Sequence, residues 1–173
     1  ALPRLLTADD PDPVTVLRPD GPSRFFFTCD HASARLPLAL GDLGLAPEQR
    51  LRHIAWDIGA AAVTAQLAAQ FDATAVLQAY SRLAIDCNRP LDAFDSITTV
   101  SEGVAIPGNE NLTVDARRQR QEEIFHPYHR RIGAALDARG AGGRLQQTIL
   151  VSVHSFTPVY LAVARRWHAG VLY

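Results

Sequence analysis

Unbroken apolar runs mark this chain, and two of them end on a histidine. Phe25-Phe26-Phe27-Thr28-Cys29 leads into Asp30-His31-Ala32-Ser33, and Thr148-Ile149-Leu150-Val151-Ser152-Val153 leads into His154-Ser155-Phe156. Continuous apolar stretches of this length fit strands covered on both faces. Ala73 to Gln78 and Leu83 to Cys87 are also strand-like, divided by the polar Tyr80-Ser81-Arg82. From Glu48 to Phe71 the period is helical. Ile54, Ile58, Ala61, Ala62, Ala65, Leu67 and Ala68 suit a helix packed closely on a sheet. A second helical region runs from Val114 to Ala138, with Pro127 expected to kink or break it. Residues 1–23 hold five prolines and read as an extended lead-in. Residues 32–50 read as a loop with a short helical turn, and 90–111 as a long irregular loop. Strands alternating with helices predict one α/β domain over residues 1–173, with a mostly parallel sheet and helices on both faces.

Composition narrows the function classes. With 173 residues, 47% hydrophobic and 20% charged, the chain can bury a substantial core. Its net charge of −1 gives no electrostatic case for nucleic acid or an anionic membrane. All seventeen basic residues are arginine, so any anion clamp must use guanidinium groups. Cys29 and Cys87 are expected to be reduced and buried, with no activating partner implied by spacing. No apolar run approaches the ~20 residues that span a bilayer, and no signal peptide stands at the N-terminus, so a cytoplasmic protein is expected. The chain holds no methionine, begins at Ala1 and stops inside an apolar run, so it is expected to be part of a longer protein. Nothing in the sequence speaks to oligomeric state.

The carboxyl rim of a parallel sheet is where α/β proteins place ligands, and both histidines lie at such an end. Two neutral imidazoles suit Zn²⁺ or another divalent transition metal, with a carboxylate as third ligand and an open position for water. Asp30, Asp57 and Asp86 are the candidates. His53 and Asp57 stand four apart, on one face of the predicted helix, and interrupt an apolar segment. Asp57 is therefore the preferred third ligand beside His31 and His154. Asp30 then stands behind the ligands, and His53 orients groups or handles a proton. Asn88-Arg89 reads as a carboxylate fork, with Asp86 expected to hold Arg89 and Arg82 adding a second positive group. Arg117, Arg118 and Arg120 lie on the second helix, where reaching substrate and forming a solvated face both remain open. No glycine-rich phosphate loop and no Gly-x-Ser-x-Gly elbow occur, and Ser33 and Ser155 are minor candidates for a nucleophile.

These segments together resemble the N-formylglutamate amidohydrolase family. The resemblance lies in Asp30–Ser33, His53–Ala60, Tyr80–Pro90, Ile106–Asn109, Pro127–His129 and His154–Pro158, in that order. It implies a three-layer α/β sandwich with a mostly parallel mixed sheet, similar to zinc exopeptidases such as carboxypeptidases and to aspartoacylases. It also implies zinc bound by His31 and His154, and a substrate carboxylate on Asp86–Arg89. The relatives carry a glutamate three residues after the first histidine, where this chain has Ala34, so the third ligand does not carry over. They also supply a general-base glutamate well after the second histidine, whereas no Asp or Glu occurs in the nineteen residues after His154. The base then lies beyond Tyr173, is an upstream carboxylate, or is missing. The activity implied is hydrolysis of N-formyl-L-glutamate to L-glutamate and formate, with a small anionic N-acyl amino acid as partner and histidine degradation as setting. A related metallo-deacylase or carboxypeptidase, or a non-catalytic metabolite-binding domain, are the alternatives.

Overall fold

The computed structural model describes residues 4–160 and 162–173; residues 1–3 of the predicted lead-in lie outside the described residues. In chain order the elements are β1 (Val14–Leu17), β2 (Phe25–Cys29), α1 (Pro47–Arg50), α2 (Ala60–Gln70), β3 (Thr74–Gln78), a small hairpin of β4 (Val100–Ser101) and β5 (Val104–Ala105), α3 (Val114–Arg120), α4 (His126–Ala141), β6 (Ile149–Ser152), β7 (Val159–Tyr160) and β8 (Val163–Ala164). The main sheet has the order β1-β3-β2-β6. β2 runs parallel to both β3 and β6, and β1 pairs antiparallel with β3.

Side chains alternate across this sheet with period two, and the central strands β2 and β3 are covered on both faces. β6, expected to be a buried strand, is the sheet edge and is mostly exposed. Phe26 and Val76 turn to one face and pack with Tyr128, Ile132 and Ala135 of α4. Phe27, Cys29, Ala75 and Leu77 turn to the other and meet Ala60, Leu67 and Ala68 of α2. The result is a three-layer α/β sandwich with a mostly parallel mixed sheet. Fully burying a side chain such as Phe26 contributes about 1.5–3 kcal/mol.

Several local expectations are corrected. The lead-in contains a strand, β1, because Pro13 and Pro19 flank Val14–Leu17 rather than interrupt it, and an edge strand tolerates proline there. The helix predicted from Glu48 to Phe71 is broken into α1 and α2, so His53 and Asp57 do not share a helix face. The Asp57 N–H is donated to the His31 carbonyl at 2.9 Å, and Gly59 turns at φ +84°, where only glycine sits without strain. Leu83–Cys87 is a buried loop rather than a strand. Its carbonyls are satisfied by side chains instead of a ladder: Asn109 Nδ2 donates to Leu83, Arg120 Nη1 to Ala84 and His129 Nε2 to Cys87. Pro127 does not end the second helix. A π turn at Gln121–Phe125 widens the backbone just ahead of it, and the chain continues as α4. Arg120 belongs to the core, 1% exposed, and burial pulls its pKa down to about 10.

Candidate functional site

β2 and β6 lie side by side and parallel, with Thr28 opposite Ser152. Two residues further along each strand come Asp30 and His154, so this register brings them together at the carboxyl rim. His154 Nε2 lies 3.2 Å from Asp30 Oδ2. Asp30 also accepts from the Tyr128 hydroxyl at 2.6 Å and the Ser152 hydroxyl at 3.1 Å. Burial opposes its charge, but the bonds from His154 and Tyr128 outweigh that and hold its pKa below the ordinary carboxylate value.

Asp57 sits between the two imidazoles. Its Oδ2 is 2.8 Å from His154 Nδ1 and 3.5 Å from His31 Nδ1. The backbone bond from Asp57 to the His31 carbonyl puts it there. On its far side His31 Nε2 meets Asp86 Oδ1 at 2.7 Å, and Asp86 also accepts from Arg82 Nη2 and from the Asn88 N–H, each at 2.8 Å. The two histidines are thus arranged alike. Each turns Nδ1 toward Asp57 and gives Nε2 to a separate buried carboxylate, which fixes ring orientation and tautomer.

Two observations bear on a metal. The buried Nδ1 of His31 has no hydrogen-bond partner, an expensive state for a polar atom unless something else meets it. The ligand atoms of His31, Asp57 and His154 all lie within 4.8 Å of one another. A tetrahedral ion with bonds of about 2.0–2.1 Å needs ligand atoms about 3.3 Å apart, and the two spacings from Asp57 Oδ2, 2.8 Å and 3.5 Å, bracket that value. Two imidazoles and one carboxylate form a donor set that fits zinc and other divalent transition metals.

The charges around this group are tightly coupled. For Asp57, burial works against ionisation, yet the His154 bond and the nearby His31 imidazole hold its pKa well below the usual range. His154 is pushed up to about 9, first by its bond to Asp30 and then by Asp57. A divalent ion entering the group must displace that proton. Apparent metal affinity is therefore expected to rise about tenfold per pH unit below that pKa, as read by competition with a chelator. An affinity that stays flat with pH would show that metal binding displaces no proton from His154.

The group opens into a cleft of about 990 Å³ that also carries Arg82, Asn88 and Arg89. Arg89 is not held by Asp86, as expected, but by Asp95, whose Oδ2 lies 2.9 Å from its Nε. Asp86 is already occupied by His31, Arg82 and the Asn88 backbone. Arg89 Nη1 donates to the Asn88 carbonyl, and Nη2 has no hydrogen-bond partner among the described residues. His53 also lines the cleft, but its Nε2 faces Glu102 at 2.8 Å rather than Asp57. Glu102 sits at φ +46° in the turn between β4 and β5. Cys29 and Cys87 are free and buried; burial pushes the Cys29 thiol up to about 11, and Cys87 higher, so neither is poised as a thiolate.

Sequence reasoning missed Tyr128, Ser152 and Glu102 as members of this surface. Pro127-Tyr128-His129 is among the motifs of the resemblance, which was the available signal for Tyr128. Ser152 is one polar residue in a strand, and nothing local marks Glu102. Among the described residues, no helix is long and apolar enough to cross a membrane.

A family model described as N-formylglutamate amidohydrolase matches residues 23–172. No curated protein matches the sequence. The crystal structure of gene product Atu2144 from Agrobacterium tumefaciens is similar with a TM-score of 0.91 and 38% identity, over 94% of this chain. The chain spans 64% of the length of that protein's chain.

Proposed function

The chain belongs to the N-formylglutamate amidohydrolase family, and from that premise we propose that it hydrolyses the N-acyl amide of an acidic amino acid, in the first instance N-formyl-L-glutamate and water to L-glutamate and formate. The observation that carries the reading is the pairing, in one cleft, of the His31–Asp57–His154 group with the Asn88–Arg89 end of the buried loop. In this reading the three residues hold zinc, which when bound supplies Lewis acidity toward a carbonyl oxygen and toward water.

The rest falls to the chain's own side chains. Asp86 and Asp30 keep the two imidazoles oriented through their Nε2 atoms. Asn88, whose side chain is free of hydrogen bonds among the described residues, and Arg89 Nη2 receive a substrate carboxylate, fixing the amide over the three-residue group. Arg82 sits 2.8 Å from Asp86 and 3.6 Å from Asp57, a positive charge beside the place where oxyanion charge develops.

Metal analysis of the purified full-length protein, paired with formate release from N-formyl-L-glutamate, tests the reading. A panel of N-formyl, N-acetyl and N-succinyl amino acids fixes the acyl group. Protein without a transition metal, or turnover indifferent to chelator, would overturn the zinc mechanism. Arg89→Met is expected to raise KM about 10- to 100-fold, the loss of a charge-assisted bond, with bound metal unchanged. Loss of metal in that variant would place Arg89 in support of the ligands instead.

A further inference from the structure

Three arginines line the cleft, and their partners differ. Arg82 faces Asp86 and Asp57, and Arg89 faces Asp95. Arg165 has no carboxylate at ion-pair distance among the described residues. It follows β8 directly, and it is held by other means. Its backbone N–H donates to the Pro158 carbonyl at 2.7 Å, and Nη1 donates to the Thr157 carbonyl at 3.4 Å. Its guanidinium lies over the rings of Phe156 and Tyr160, 5.5 Å and 4.9 Å from their centroids.

Aromatic faces orient a guanidinium without neutralising it, so Arg165 keeps its full charge and most of its donors for an incoming anion. The location follows from the chain. Phe156 stands two residues beyond His154, a backbone span of at most about 7 Å. The cation moored on Phe156 lines the same cleft as His31, Asp57 and His154, the cleft that Asn88 and Arg89 share.

We propose that Arg165 binds a second carboxylate of the substrate, making the cleft selective for dianionic N-acyl amino acids. The inference rests on the amide-hydrolysis reading above and adds to it the residue that reads the substrate side chain. An Asn88–Arg89 fork alone holds an acidic and a neutral N-acyl amino acid equally well. A neutral side chain would strand the Arg165 charge in a half-buried setting, and this is the source of discrimination.

The test compares N-formyl-L-glutamate with N-formyl-L-glutamine, nearly the same shape with one carboxylate fewer, on the full-length metal-loaded protein. In Arg165→Gln the ratio of kcat/KM for the two substrates is expected to fall about 10- to 100-fold, through KM for the acidic one. A second readout avoids catalysis. Calorimetric titration of metal-free protein with glutarate and with butyrate should show a dianion preference that Arg165→Gln removes. Arg165→Met, which keeps an unbranched stem over both rings, repeats both measurements should the glutamine variant not fold. A variant that keeps the wild-type preference overturns this inference alone. A wild-type protein that releases no formate from either substrate overturns the hydrolysis reading, and this inference with it.

Discussion

Replacing His154 by alanine is expected to leave a folded protein with substoichiometric metal and at least about 1,000-fold less formate release. The fold survives because His154 stands past the end of β6, with its side chain one-third exposed. The carboxylates it leaves behind are not stranded. Asp30 keeps the Tyr128 and Ser152 hydroxyls, and Asp57 keeps the Ser155 N–H at 3.3 Å and Arg82 at 3.6 Å. The metal does not survive, because the substitution removes one of three candidate ligands. Losing a hydrogen-bond partner behind a ligand typically costs 10–100-fold, and losing the ligand itself costs more. Elemental analysis and a thermal melt on the same sample separate the two effects. Full metal occupancy in the variant would remove His154 from the ligand set.

What the sequence discloses about this site follows the range of the interactions involved. β2 is legible because a strand covered on both faces must be apolar throughout, and Phe25–Cys29 is nearly so. β6 reads the same way from Ile149–Ser152, although as the edge strand it is mostly exposed. Their polar stops, Asp30-His31 and His154, are legible for the same reason. Leu83–Cys87 shows the limit of that argument. A buried loop is as apolar as a buried strand, and what distinguishes it here is three distant donors, Asn109, Arg120 and His129, that take the place of a ladder. Asp57 is reached from helix spacing, although no helix runs through it; the bond from its backbone to the His31 carbonyl is the cause of its position. Partners such as Tyr128 on Asp30, 98 residues apart, or Glu102 on His53, meet only through the tertiary fold, and no local periodicity encodes them. The motif blocks of the resemblance mark some of these positions without stating their contacts.

Replacing Asp86 by alanine is expected to lower stability by about 3–5 kcal/mol at neutral pH, the usual cost of removing one partner from a buried charged network. Asp86 is 4% exposed and accepts from three donors: His31 Nε2, Arg82 Nη2 and the Asn88 N–H. Burial raises the pKa of such a carboxyl, yet the bond and charge of His31, followed by Arg82, bring it down to about 2 from 3.8. A depressed acid stabilises the fold above its unfolded pKa and loses that contribution as pH falls through the folded one. The shift alone corresponds to about 2 kcal/mol. The larger figure for the alanine variant reflects what is left behind. His31 Nε2, in a side chain only 3% exposed, loses its acceptor, and Arg82 keeps only the longer 3.6 Å approach to Asp57. Urea unfolding of wild type and variant across a pH series distinguishes the two parts. The gap between them should be widest at neutral pH and should narrow as pH falls from 3.8 toward 2. Asp86→Asn, which keeps the shape and an acceptor oxygen but not the charge, should fall between them and show no such narrowing relative to alanine. A gap independent of pH would mean that packing, rather than the His31–Asp86–Arg82 charges, holds this loop beneath the cleft.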